Sequence, residues 1–156
     1  MAEVEEVVGL LKEAKVEEAI QLMPEVEDKK TLSQRLVDLG GFFAEVKARY
    51  HLAVALLLLS LRFNPQNKYA AYNLANTYST PYMLIEEPRN LDKAVYWYGK
   101  AIEIDSRFHE ARYNLALLFF FNQKTVEARK QYEQLMSIKP RHPKYRELGL
   151  LLKALK

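Results

Sequence analysis

The chain has three histidines, His51, His109 and His142, which are the side chains best suited to acid–base chemistry or metal binding. They are widely separated along the sequence, so we expect them not to converge on one site. Cysteine is absent, which excludes thiolate metal sites, disulfides and cysteine redox chemistry. No glycine-rich phosphate-binding loop is present either. The sequence therefore predicts no catalytic residue, no metal site and no cofactor, and we expect that the protein is not an enzyme.

Amides and aromatic rings are the other side chains that could carry a function, because both can contact another polypeptide. An asparagine amide offers a peptide backbone a donor and an acceptor, and a tyrosine ring supplies rigid contact area at a low entropic cost. Such residues occur twice in one pattern: Tyr72-Asn73-Leu74-Ala75 followed by Tyr78, and Tyr113-Asn114-Leu115-Ala116 followed by Phe119. The recurrence indicates a repeated structural element that presents them.

The composition is that of a soluble globular domain. The chain has 156 residues, of which 49% are hydrophobic and 28% charged, and this length suits one domain. Its longest apolar run, residues 52–61, is about half of the ~20 residues that a spanning helix needs. The acidic first residues do not resemble a secretory signal. We therefore expect a cytoplasmic protein without membrane insertion.

The apolar spacing is helical almost throughout, and it repeats. Glycine and proline are few, at 5 and 6 residues, which disfavours strand-rich folds with many tight turns. Four alanines in similar surroundings, Ala19, Ala53, Ala94 and Ala128, are separated by 34, 41 and 34 residues. Turns follow three of them at matching offset: Asn64-Pro65, Asp105-Ser106 and Lys139-Pro140. The pattern predicts an all-α chain of helical hairpins.

A period of 34 residues with Asn-Leu-Ala, then an aromatic, alanine and proline resembles the tetratricopeptide repeat (TPR) family over residues 34–142. The resemblance implies a right-handed superhelical stack of antiparallel helix hairpins, closed by a C-terminal capping helix. It also implies a function as an adaptor or scaffold that binds a peptide or helical segment of a partner protein in its concave groove. The partner's identity does not follow from the sequence.

The resemblance divides a single domain, 1–156, into units: a degenerate N-terminal hairpin at 1–30, repeats at 34–67, 68–108 and 109–142, and a capping helix at 143–156. The second unit requires a 7-residue insertion around 80–90, and its residues 96–101 also look like Sel1 repeats. Thr31-x-x-Gln34 predicts a capping box at a helix start. We expect apolar stripes to pack inward at both ends, through Ile20 in the N-terminal hairpin and through Leu148, Leu151, Leu152 and Leu155 in the capping helix.

By position, the resemblance places the partner-binding groove on Tyr69, Tyr72, Asn73, Asn76, Tyr113, Asn114, Leu117, Phe120, Phe121 and Lys144. Equally, several of these rings could pack into neighbouring hairpins. Some family members hold a C-terminal carboxylate between two asparagines and basic residues, and Asn76, Asn114 and Lys144 occupy three of those places. Tyr72 and Leu148 stand where a lysine and an arginine would be expected, so we expect no binding of chaperone tails.

The insertion contains an apolar segment, Tyr82, Met83, Leu84 and Ile85, between Pro81 and Pro88. The prolines argue against a simple helical extension. One interpretation is a contact lip for a partner. The alternative, which we favour, is that Tyr82, Leu84 and Ile85 pack back on their own hairpin.

Charge is distributed unevenly. Residues 1–48 carry 6 basic and 11 acidic side chains, and residues 49–156 carry 17 and 9, which gives net charges of −5 and +8. This asymmetry supports two alternative functions. One is a homo-oligomeric assembly module, in which the insertion or the acidic N-terminal hairpin meets the basic C-terminal face of another copy. The other, which we rank last, is weak binding of nucleic acid or an acidic partner by the basic C-terminal part.

Overall fold

The computed structural model describes residues 1–155 and confirms the all-α prediction. Within these residues no strand forms, and an isolated parallel bridge joins Ala2 to Val26. The ten helices of the described part are α1 (Val4–Lys12), α2 (Val16–Leu22), α3 (Lys29–Glu45), α4 (Tyr50–Phe63), α5 (Lys68–Tyr78), α6 (Pro81–Glu86), α7 (Asn90–Ile104), α8 (His109–Phe121), α9 (Thr125–Ile138) and α10 (Pro143–Ala154). The chain divides into two compact units, Met1–Thr77 and Tyr78–Lys156.

In the first unit, α3 and α4 form an antiparallel pair that packs against α1. Val7, Val8 and Leu11 of α1 meet Leu36 of α3 and Leu56 of α4 in one buried cluster. These residues recur at helical spacing, so each helix buries one apolar face, and burying a large aliphatic side chain contributes about 1.5–3 kcal/mol.

The close approach of α3 to α4 depends on Gly40. A Cβ atom there would lie 2.7 Å from Cγ and 2.9 Å from Cδ2 of Leu57, which is itself fully buried. Packing against Leu57 therefore accounts for the glycine at position 40.

A buried polar network joins α3, α4 and the start of α5. The Ser33 and Ser60 hydroxyls lie 2.7 Å apart, and Ser60 Oγ donates to the Ser33 carbonyl at 2.8 Å. Asn67 Nδ2 donates to Ser33 Oγ at 3.0 Å, and its Oδ1 accepts the Ala70 N–H at 3.3 Å. Each of these buried polar groups is thus paired, so the network stabilises the junction instead of costing free energy.

The start of α3 differs from the predicted capping box. The helix begins two residues before Thr31, at Lys29, and its N-cap is Asp28, whose Oδ1 accepts the Thr31 N–H at 3.0 Å. The Thr31 hydroxyl donates to the other oxygen of Asp28 at 2.6 Å. These hydrogen bonds, the hydroxyl's first, lower the pKa of the Asp28 carboxyl. The threonine therefore supports the cap and does not form it.

Three of the inter-helix turns contain a residue in the left-handed conformation: Ala14 (φ 63°), Ala48 (φ 51°) and Gln123 (φ 61°). Ala14 and Ala48 are 34 residues apart, and all three precede one of the recurring alanines by five residues. The equivalent position in the second repeat is Arg89, which is right-handed (φ −64°). The predicted period thus appears in the backbone, and the insertion replaces the turn where the period fails.

The insertion forms the short helix α6, with Pro81 in its first turn, where proline is tolerated. Met83 is buried, and its carbonyl accepts Asn90 Nδ2 at 2.8 Å. Tyr82 and Ile85 are 55% and 83% exposed, so the expectation that they pack back on their own hairpin is wrong. Met83, at a position between them on the helix, takes the anchoring role.

In the second unit, α8 and α9 form an antiparallel pair that α10 covers. Ala116, Ala128 and Leu135 meet Tyr145 and Leu148 in a second buried cluster. Gly149 of α10 is also constrained, because a Cβ atom there would lie 2.6 Å from Cζ of Tyr132. These contacts fix α10 against the pair.

Both terminal stripes differ from the prediction. In α10, Leu148 and Leu152 are buried as expected, whereas Leu151 and Leu155 are 47% and 46% exposed. Ile20 of α2 is 43% exposed. The predicted stripes therefore contain more apolar positions than the neighbouring helices cover, two in α10 and one in α2. The repeat boundaries and the Sel1-like character of the second unit stay predictions.

Candidate protein-binding site

The predicted groove residues of the first unit lie on one face of α5. Tyr69, Tyr72, Asn73 and Asn76 stand at helical positions i, i+3, i+4 and i+7. Tyr69 is 48% exposed, and the other three are half-buried. The face therefore presents a ring edge and amide groups to solvent while part of each side chain packs on the protein.

α5 runs alongside α3 in the same direction. Asn67 contacts Ser33 where the two helices begin, and further along the Asn73 amide lies 3.5 Å from the position of a Cβ atom at Gly41. Because Gly41 has no side chain, the amide lies over the backbone of α3. Asn73 thus has a packing role in addition to its partial exposure, and Gly41 is a site residue that the groove prediction missed.

Beside this face, α3 presents Phe42, which is 43% exposed and lies under the Lys47 ammonium group at 5.8 Å. Arg35, another residue of α3, pairs with Glu5 at 3.0 Å. Its guanidinium group is therefore already engaged within the first unit. The surface next to α5 is therefore aromatic, with the Lys47 ammonium group over Phe42 and the Lys68 ammonium group 5.2 Å from the centre of the Tyr69 ring.

In the second unit, α8 presents Tyr113, Asn114, Leu117, Phe120 and Phe121 on one face by the same spacing. Phe121 is 73% exposed, whereas Leu117 and Phe120 are half-buried and pack against the cluster around Leu148. The Phe120 and Phe121 rings meet edge to face at 5.4 Å. The Phe120 ring is therefore partly core, as the packing interpretation expects, whereas most of the Phe121 ring is exposed; partner binding by these rings stays a prediction.

α10 completes this side of the second unit. The Tyr113 and Tyr145 rings have their centroids 5.0 Å apart. Burial, and after it the negative charge of Glu147, raises the pKa of Tyr113. A phenol is already protonated at neutral pH and can donate a hydrogen bond, and the raised pKa extends this protonated state to higher pH.

The positions that hold a carboxylate in some members of the family are only partly filled. Lys144 is exposed on α10, but Leu148 is 1% exposed and forms part of the buried cluster with Tyr145. An uncharged buried side chain contributes no charge-assisted hydrogen bond to a ligand. The second unit therefore offers one cation at these positions where two would be expected.

The expectation that the histidines do not converge is wrong for two of them. The His109 and His142 rings lie 6.4 Å apart, and both contact Tyr145, which is 2% exposed. His109 Nε2 lies 2.7 Å from a Glu110 oxygen and Nδ1 lies 2.6 Å from the Tyr145 hydroxyl. A carboxylate only accepts, so a neutral His109 donates from Nε2 and accepts the tyrosine proton at Nδ1. Buried Tyr145 cannot reach a substrate, so this cluster fastens α10 to α8.

Sequence reasoning missed Tyr145, although the repeat period carries the signal. His109 begins α8, and His142 is the N-cap of α10, 33 residues later and one residue short of the 34-residue period. Equivalent positions in successive repeats become neighbours when the repeats stack. The same rule accounts for the contact of Ser33 with Asn67, which are 34 residues apart.

The predicted lip reduces to two exposed residues on α6. Met83 is buried, Leu84 is half-buried, and Tyr82 and Ile85 remain exposed. These two stand at i and i+3, hence on one side of the helix. The structure thus gathers predicted site residues into an α5 group in the first unit and α6, α8 and α10 groups in the second.

Two further observations concern residues 1–155. No helix in this range is long and apolar enough to cross a membrane. Within the same range, no group of three or more histidine, cysteine or acidic side chains could hold a metal ion.

No family model matches the sequence, and no curated protein matches it. Solved structures do match. The first TPR domain of Spaghetti (RPAP3), bound to the HSP90 peptide SRMEEVD, has a TM-score of 0.65 and 20% identity over 79% of this chain and 94% of that chain. The Arabidopsis OM64 TPR domain has a TM-score of 0.68 and 16% identity over 82% and 99%. A tetratricopeptide repeat protein from Parabacteroides merdae has a TM-score of 0.69 and 17% identity over 96% and 57%.

Proposed function

We propose that this chain, which has the tetratricopeptide-repeat fold, is an adaptor that binds a peptide or helical segment of a partner protein. The binding residues are the exposed parts of the α5 face, with Tyr69, Tyr72 and Asn76, and of the α8 face, with Asn114 and Phe121. The adaptor works by recognition and has no catalytic step.

The observation that carries the proposal is the exposure of rings beside amides at helical spacing. Tyr69 and Phe121 are 48% and 73% exposed on faces that also carry Asn76 and Asn114. Fully burying a large apolar side chain contributes about 1.5–3 kcal/mol, which a partner would gain on covering these rings. The amides would then pair with the backbone of the bound segment. The RPAP3 neighbour, which holds a heptapeptide, supports the same mode of action.

The peptide bound by that neighbour, SRMEEVD, ends in acidic residues. At the corresponding positions this chain has Asn76, Asn114 and Lys144, but Tyr72 and the buried Leu148 replace two basic residues. Each missing charge-assisted hydrogen bond is worth about 1.5–3 kcal/mol, so two of them weaken binding by roughly 100-fold or more. We therefore propose that the preferred ligand is an apolar or neutral segment and not an acidic C-terminal tail.

A displayed library of random peptides tests the proposal without knowledge of the natural partner. Peptides selected on the intact chain would be measured against the double variant Asn76→Ala, Asn114→Ala. Loss of two net hydrogen bonds of about 0.5–1.5 kcal/mol each predicts roughly tenfold weaker binding. The matched control is Gln66→Ala, Gln134→Ala, which removes two exposed amides outside these faces.

Thermal unfolding of both double variants shows whether the asparagine changes also damage the fold. Equal peptide affinity of the asparagine variant and the intact chain would exclude the two amides from binding. Selection of peptides ending in Glu-Glu-Val-Asp would contradict the proposed ligand class while leaving peptide binding itself intact.

A further inference from the structure

The N-terminal hairpin, α1 and α2, has an acidic outer surface. Residues 1–25 contain seven acidic and two basic side chains, a net charge of −5. Glu17 and Glu18 are exposed on α2, and the exposed part of Ile20 stands one helical turn after Glu17. This surface therefore combines one apolar side chain with surrounding carboxylates.

The C-terminal segment has the opposite charge. Residues 139–156 contain six basic and one acidic side chain, a net charge of +5. A cleft of about 440 Å³ lies between α9 and α10, with Leu152 and Leu155 among its apolar lining residues and Arg129, Glu133 and Lys153 as its charged ones. Leu155 is 46% exposed there.

Specific contacts join the two helices that border the cleft. Arg129 donates to the Leu152 and Leu155 carbonyls at 3.0 Å and 3.4 Å, which fixes the end of α10 relative to α9. Gly149 and Tyr132 pack closely in the floor of the same cleft. Leu152 is buried beneath this cleft, so Leu155 is the leucine that it exposes, next to Lys153.

We propose that a second copy of this chain docks its N-terminal hairpin on the cleft between α9 and α10. Ile20 of one copy covers Leu155 of the other, and the carboxylates of Glu17 and Glu18 face Arg129 and Lys153. The charges favour this occupant, since residues 1–25 and 139–156 carry net charges of −5 and +5 and attract each other over a distance, and the cleft itself presents Arg129 and Lys153 against one carboxylate, Glu133. Because the two surfaces differ, the contact is heterologous, and each copy keeps a free surface of each kind for further association.

Sedimentation velocity over a range of protein concentrations tests the proposal. At about 0.1 M NaCl, where the Debye length is about 10 Å, we expect concentration-dependent association. At about 1 M NaCl the Debye length falls to about 3 Å, and the dissociation constant should rise at least about tenfold. A chain that stays monomeric up to about 1 mM at low salt would overturn the proposal.

Two variants locate the contact. Ile20→Lys places a cation on the acidic hairpin, and the pair Lys153→Ser, Leu155→Ser removes a charge and an apolar wall of the cleft. All three positions are exposed, so the fold should persist, as circular dichroism would verify. Each variant alone should be monomeric, whereas a mixture should form a 1:1 dimer and nothing larger, because one intact hairpin meets one intact cleft.

Val126→Ser provides the matched control, since Val126 is 63% exposed on α9 and does not line the cleft. It should associate like the unchanged chain. Persistent association of either variant alone would place the contact elsewhere and overturn the proposal, as would a mixture that remains monomeric.

Discussion

The contact between Gly40 and Leu57 makes a quantitative prediction about a single methyl group. In Gly40→Ala the new Cβ atom would lie 2.7 Å from Leu57 Cγ, well inside van der Waals contact. Overpacking of this kind costs about 1–3 kcal/mol, while alanine gains about 0.8–1 kcal/mol over glycine in a helix. We expect a net effect between almost none and roughly 2 kcal/mol of destabilisation.

Two matched substitutions isolate the packing contribution. Gly9→Ala in α1 would meet no atom within 4 Å, and Gly41→Ala would meet Asn73 Nδ2 at 3.5 Å, an ordinary contact. Both should stabilise the first unit by about 0.8–1 kcal/mol. All three variants share the change in helix propensity, so their difference, about 1–3 kcal/mol, reports the clash alone.

Urea unfolding followed by far-UV circular dichroism measures this difference. With a slope of about 2 kcal/mol per molar urea, the midpoint of Gly40→Ala should lie roughly 0.5–1.5 M below those of the controls. Equal midpoints for Gly40→Ala and Gly41→Ala would refute the inference that α3 and α4 approach through a glycine. Because Leu57 is fully buried, its side chain has no solvent-filled space into which it could withdraw.

Two further predictions concern the second unit. The pKa of Tyr113 is raised above its ordinary value of 10.0 by burial and by Glu147, so its stabilising contribution is complete below pH 10 and is lost as pH rises further. The urea midpoint should therefore fall as the pH rises above 10, and it should fall less in Glu147→Gln; an identical fall in both proteins would remove Glu147 as a cause. In α6, Met83→Ala should lower the free energy of unfolding by about 2–5 kcal/mol, measured by thermal unfolding, because Met83 is buried. Ile85→Ala should lower it by less than about 0.5 kcal/mol. Equal losses would contradict the assignment of Met83 as the anchor.

The helices and turns could be predicted from the sequence because each depends on residues that are close together in the chain. The 34-residue interval between Ala19 and Ala53 appears in the backbone as left-handed turn residues at Ala14 and Ala48. Proline positions also carried over, since Pro143 begins α10 as expected. In each case a helix period or a φ restriction acts over a few residues and needs no distant partner.

The candidate site was predictable as a set of positions but not as a surface. Tyr69, Asn76 and Phe121 could be assigned to helix faces from spacing alone. Their exposure could not be predicted in this way, because it depends on which side chains of the neighbouring helix pack against them. Leu148 and Leu151 show the difference: both were expected on the buried stripe of α10, yet Leu148 is 1% exposed and Leu151 is 47% exposed.

By itself, the sequence determined the all-α class, the period of the hairpins and the opposite charges of the two ends, because these are sums over neighbouring residues. Only the tertiary structure decided that His109 and His142 meet on Tyr145, that Asn73 lies over Gly41, and that α6 hides Met83 while exposing Ile85. Such contacts join residues far apart in the chain, and their geometry depends on the close packing of whole helices, to which every side chain at the interface contributes.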